Sequence, residues 1–132
     1  MGETEVDTLR RSYAALNDGD VDAALEALDD GAVWYESPEL PGGDVFHGRE
    51  AVRSFLSEFL AEWRQFHQEI EDVVKADDDR FAVLIHLTAM GRMSGIEADT
   101  RYAHVWTMRD GRGIKVEGYR DQEAARRSLS AP

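Results

Sequence analysis

The sequence contains no cysteine, which excludes disulfides, thiolate zinc sites and cysteine nucleophiles together. Lysine is almost missing as well, with Lys75 and Lys115 the only two. Fifteen Lys and Arg residues face 27 Asp and Glu, a formal net charge of -12. A surface that negative repels phosphate backbones and anionic headgroups, so neither nucleic acid nor a membrane is an expected partner. No apolar run approaches the roughly 18 residues of a membrane span. The segment from Met1 to Val6 lacks the basic and apolar regions of an export signal, and Val6 stands where myristoylation wants Ser or Thr. A cytoplasmic location is the expectation. The four histidines show no metal-ligand spacing, and Asp77-Asp78-Asp79 lacks the later Gly and Glu of a calcium loop. There is no Gly-x-Gly-x-x-Gly, Walker or Gly-x-Ser-x-Gly pattern. Neither a metal nor a cofactor is expected.

What is present suits one domain spanning residues 1–132, since 42% of the residues are hydrophobic, enough for one core. Val6, Leu9, Tyr13 and Leu16 form a stripe at helical spacing that stops at Asn17-Asp18-Gly19. Asp20 caps a second helix carrying Val21, Ala24, Leu25 and Leu28, ended by Asp29-Asp30-Gly31. Ala32 to Ser37 reads as a short strand, and Pro38, Pro41, Gly42 and Gly43 as a loop. From Glu50 to Trp63, the positions Val52, Phe55, Leu56, Phe59, Leu60 and Trp63 predict a third helix. Phe66–Lys75, Phe81–Met90, Ala98–Arg109 and Ile114–Arg120 read as antiparallel strands, and Asp121 to Leu129 as a terminal helix. Helices followed by a meander of long strands make an α+β fold, with the early helices covering a sheet face that curls into a cup. The open antiparallel face, with apolar residues on it, invites a second copy, and a homodimer is expected.

The turn at Asp110 to Gly113 supports a parity argument. A loop of two or four residues puts Tyr102, His104 and Trp106 on one face with Glu117, Tyr119 and Asp121. Aromatics beside a His, a Glu and an Asp suit a ligand pocket; a wet outer face with amphipathic aromatics is the other reading. Asp121 is also a natural N-cap for the terminal helix. His86 is read as facing away from the cup, and His47 and His67 as exposed.

Four segments, Tyr13-Ala14-Ala15-Leu16-Asn17-Asp18-Gly19-Asp20, Ala32-Val33-Trp34-Tyr35-Glu36-Ser37-Pro38, His47-Gly48-Arg49-Glu50-Ala51-Val52 and Trp106-Thr107-Met108-Arg109-Asp110-Gly111, together resemble the landmarks of SnoaL-like and ketosteroid-isomerase-like members of the nuclear transport factor 2-like superfamily. The resemblance implies a cone-shaped, curved mixed sheet wrapped around a long helix with N-terminal helices, a cystatin-like roll closed on one apolar pocket. In such isomerases a Tyr on the first helix and a protonated Asp on a long strand hold an oxyanion, while a second Asp shuttles the proton. Tyr13 matches the Tyr, His104 falls at the strand acid, and Ser37 stands where the shuttling Asp would be. Ser37 has no basicity for that task, so steroid isomerisation by the usual route is not expected. Glu36 should face away from Ser37 in a regular strand.

The expected function is binding of a small, largely apolar carbonyl or hydroxyl compound. Cofactor-free proton transfer would use Tyr13 and His104 at the substrate oxygen and Glu117 or Asp121 for the proton. Tyr35, Ser37, Phe55, Phe59, Tyr102, Trp106 and Tyr119 are the expected ligand-lining positions. The alternative is a non-catalytic ligand-binding or dimerising module of the same fold.

Overall fold

The computed structural model describes residues 4–37, 44–76 and 79–130. The loop expected at Pro38 to Gly43 lies outside the described residues, as do Asp77 and Asp78. Helix α1 (Glu5–Asn17) is capped by the Thr4 hydroxyl, which accepts from Asp7 N at 3.1 Å. It ends where Gly19 adopts φ 79°, the left-handed conformation open to glycine at no steric cost. Asp20 then caps α2 (Val21–Leu25) through Ala23 N. Ser12 of α1 donates to Ala24 O at 2.8 Å and ties the two helices together.

Six strands follow around the long helix α3 (Arg49–Ala61): β1 (Leu28–Tyr35), β2 (Val45–His47), β3 (Trp63–Lys75), β4 (Arg80–Gly91), β5 (Glu97–Arg109) and β6 (Arg112–Tyr119). The sheet order is β2-β1-β6-β5-β4-β3. β1 runs parallel to β6 and every other pair is antiparallel, so the sheet is mixed, curved and unclosed. Register shifts at Trp63/Gln65, Ile70/Asp72 and Thr107/Met108 add twist where the strands must bend. The concave face buries Leu9, Val52, Val83, Ile85 and Trp106 beneath α1 and α3. Helix α4 (Gln122–Ser128) lies on the opposite face, where Ala125 and Leu129 pack against Ala82, Leu84, Ala103 and Val105.

Two expected helix boundaries move, each because tertiary bonds override local periodicity. Leu28 belongs to β1 and not to the second helix. Its carbonyl accepts from the Arg49 guanidinium, it pairs with Gly113, and a register shift between Leu28 and Val33 absorbs the Asp29-Asp30-Gly31 turn signal inside the strand. Trp63 opens β3 where a helical position was expected. Arg92 donates to Ala61 O, Glu62 O and Trp63 O, so the end of α3 is gripped from the β4–β5 connection. The short strand β2, unforeseen in the sequence, pairs with Val33 to Tyr35. The outer face beyond α4 is also less apolar than expected. Glu69, His86 and Arg101 lie side by side there, with Asp99 bonded to His86.

The hairpin between β5 and β6 decides which residues see the cup. Asp110 (φ 52°) and Gly111 (φ 80°) form a two-residue turn, as the right-handed strand twist favours. The turn pairs Arg109 with Arg112 and Met108 with Gly113, but the register shift before Met108 then sets Trp106 opposite Val116, Val105 opposite Glu117 and Ala103 opposite Tyr119. One extra residue reverses every side chain beyond it. Glu117 and Tyr119 are therefore on the α4 face, not with His104. Gly113 is required by close approach, since a Cβ there would meet the Trp106 ring at 2.5 Å. Gly113→Ala should lower the unfolding free energy by about 1–3 kcal/mol in denaturant titration; an unchanged midpoint would mean that the ring yields freely.

Candidate functional site

A cavity of about 210 Å³ opens between α1, α3 and the concave face, and its lining is almost wholly apolar. Phe55, Leu56 and Phe59 of α3 form one wall, and Leu87, Ala98, Thr100 and Tyr102 of the sheet form the other. Phe55 is held from behind by Phe46 of β2, with ring centroids 4.4 Å apart.

A chain of bonded polar groups sits at the inner end. Trp106 Nε1 donates to Tyr13 Oη at 3.0 Å, and Tyr13 Oη lies 2.6 Å from His104 Nδ1. The arrangement that gives the phenol proton an acceptor has Tyr13 donate to Nδ1. It assigns the ring proton to Nε2 of a neutral imidazole. Burial acts the same way: His104 is 4% exposed, and desolvation lowers its pKa from 6.5 to about 3. Burial also raises the Tyr13 and Tyr102 phenols well above their ordinary value. Both are neutral donors or acceptors across the physiological range.

Among the described residues, the carboxyl that lines this cavity is Glu36. Its Oε2 accepts from Trp34 Nε1 at 2.8 Å, and the Ser37 backbone N–H also donates to it. Burial raises its pKa against both bonds, and its charge is felt at Tyr13 and Tyr102. Gly118, opposite His104 on β6, leaves the space that Glu36 fills, since a Cβ there would lie 2.7 Å from Oε1.

Of the positions expected from the sequence, Tyr13, His104, Phe55, Phe59 and Tyr102 line the cavity, and Trp106 stands behind Tyr13. The others lie elsewhere. Tyr35 is 40% exposed on the outer face, where it pairs with Glu117. Ser37 is buried past the end of β1, and the cavity takes Glu36 in its place. Glu117 is paired with Lys115 at 3.6 Å, and Tyr119 packs on the α4 side. Asp121 caps α4 by accepting from Glu123 N at 3.0 Å. Reading Tyr35 and Ser37 as the inward pair of β1 leaves Glu36 out. The contrary signal was Ala32, Trp34 and Glu36 at a spacing of two, with the bulkiest aromatic on that face. His86 faces outward as expected, bonded to Asp99 at 2.7 Å, and His47 and His67 are exposed.

An open, curved mixed sheet coiled around a long helix over one cavity defines a nuclear transport factor 2-like fold. The chain belongs to the SnoaL-like domain family, whose profile matches residues 9–116. It is similar to an NTF2-like protein of unknown function from Burkholderia pseudomallei, with TM-score 0.81 and 22% identity over 98% of this chain and 100% of that one. TerC, crystallised with polyporic acid, gives TM-score 0.78 and 20% identity over 96% and 98%. A protein named as a SnoaL-like polyketide cyclase from Jannaschia sp. CCS1 gives 0.77 and 20% over 100% and 99%. No curated protein matches the sequence. Among the described residues no helix is long and apolar enough to cross a membrane.

The buried histidine makes stability pH-dependent. Between about pH 6.5 and about pH 3 the unfolded chain binds a proton at His104 that the folded chain refuses, so this contribution is complete above 6.5 and is lost as pH falls toward 3. Glu36, with its pKa raised, has the opposite sign and favours the fold at acid pH. Thermal melts of the wild type should therefore lose stability more steeply than His104→Gln between about pH 6.5 and about pH 4. Parallel profiles would contradict the buried, neutral ring.

Proposed function

We propose that this protein binds a small, largely apolar carbonyl or hydroxyl compound and moves a proton on it without a cofactor, in an isomerisation, cyclisation, dehydration or hydration. The observation that carries the reading is the pairing, at the inner end of an apolar cavity, of a carboxyl with a raised pKa and a neutral imidazole whose Nδ1 is committed to Tyr13. In the forward step Glu36 takes a proton from carbon alpha to a carbonyl. The C–H electrons become the enolate double bond, and the charge moves to oxygen. His104 Nε2–H donates to that oxygen, with Tyr13 and Trp106 fixing the ring so that little reorganisation accompanies the charge. Glu36 then returns the proton at the same or another carbon. Desolvation brings the base closer to the operating pH, the condition under which a carboxyl serves in both directions. The proton role earlier expected of Glu117 or Asp121 passes to Glu36, the carboxyl that reaches the cavity.

Kinship to the SnoaL-like family and likeness to a protein named as a polyketide cyclase support the small-molecule reading, as does TerC's crystallisation with an organic ligand. One observation favours a binder without turnover: the Glu36 carboxylate is already held by two N–H donors, which lowers its basicity. The homodimer is proposed with either reading. Through the outer face its contacts would involve Glu69, His86 and Arg101, and would weaken with salt.

The test is exchange of α-protons in 2-tetralone, an apolar bicyclic ketone, followed by NMR in heavy water. Wild type should accelerate exchange, Glu36→Gln and His104→Gln should each lower the rate by about 10²–10⁴, and Glu117→Gln should leave it unchanged. Full activity in Glu36→Gln would overturn the mechanism, and binding without acceleration by the wild type would leave the binder.

A further inference from the structure

Two buried polar atoms in the cavity have no use in the chemistry above. Gln68, 5% exposed, lines the cavity with its Oε1 buried and without a hydrogen-bond partner, and Trp63 Nε1 is buried and unpartnered as well. Buried polar groups in folded proteins are almost always paired, because an unmade bond costs the full desolvation of the group. Gln68 is not loosely placed. Asn17 of α1 brackets its backbone, donating to Gln68 O at 3.0 Å and accepting from Gln68 N at 2.8 Å. Its amide nitrogen donates to Tyr102 Oη. Turning the amide over would exchange donor and acceptor but still leave one amide edge unpaired.

The position of Gln68 sets it apart from the histidine. His104, Tyr102 and Thr100 succeed one another on the inward face of β5, while Gln68 pairs with Leu87 and Leu87 with Thr100. Tyr102 stands between the two, its ring 5.3 Å from that of His104 and its hydroxyl bonded to the Gln68 amide. The free amide edge of Gln68 is thus a polar group separate from His104 in a cavity otherwise walled by Phe55, Phe59, Leu87 and Ala98.

We propose that Gln68 forms a second polar subsite, and that the ligand is a small, largely hydrocarbon body with two oxygen functions, the one at Gln68 a hydroxyl. A hydroxyl suits the free amide edge whichever way the amide is turned, because it donates and accepts. The inference rests on the ligand site proposed above and adds its second anchor.

The test compares two probes that differ by one hydroxyl, 2-naphthol and 2,6-naphthalenediol, by calorimetric titration of the wild type, Gln68→Met and Gln68→Leu. Wild type should hold the diol about tenfold more tightly, the size of one net hydrogen bond. Gln68→Met should erase that preference while leaving 2-naphthol affinity in place, and should Gln68→Met fail to fold by circular dichroism, Gln68→Leu gives the same reading. Equal wild-type affinities, or a preference that survives the substitutions, would overturn the second subsite while leaving the cavity reading intact. Binding of neither probe would remove the ligand site itself and the subsite with it.

Discussion

The bond from Tyr13 to His104 is the constraint on which the site depends. It joins the first helix to the middle of the sheet across 91 residues of sequence, and both partners are fully desolvated. With Trp106 donating to the phenol oxygen, the phenol proton is assigned to His104 Nδ1, the direction that gives it an acceptor. A charged ring there would sit against a hydroxyl and an apolar wall, and desolvation by burial drives its pKa far down. Much of the surrounding sequence serves this one bond. Gly113 gives the indole room, Ser12 ties α1 to α2, and Asn17 clamps α1 to β3.

The proposed mechanism uses two cavity groups with opposite responses to the same burial. Desolvation holds His104 neutral and raises the Glu36 carboxyl above its ordinary value. Neither shift needs a metal or a charged neighbour. The fold supports many activities, so the site rather than the family must carry the chemistry, and here the site departs from the isomerase pattern by taking its carboxyl from Glu36 one residue before Ser37.

The architecture was legible because its signals are long: the stripe of α3, the alternation of β4 and β5, and the paired turn glycines each extend over many residues. Tyr13, His104, Phe55 and Phe59 were legible for the same reason, since they sit within regular elements. The errors cluster where a single residue shifts the count. A register shift beside Met108 turned Glu117 and Tyr119 outward, and the choice of face in β1 exchanged Glu36 for Ser37. Periodicity has no means of seeing a bulge, which depends on what the partner strand does. Leu28 and Trp63 were misplaced because Arg49 and Arg92, distant in sequence, bond their carbonyls.

The most direct measurement of this arrangement is the ¹⁵N NMR tautomer of His104 in the free protein. At about pH 5, below the ordinary histidine value, the ring should be neutral, with the proton on Nε2 and Nδ1 shifted as a hydrogen-bond acceptor. An imidazolium at that pH, or a neutral ring protonated on Nδ1, would contradict the bond from Tyr13 and with it the oxygen-binding role proposed for this histidine.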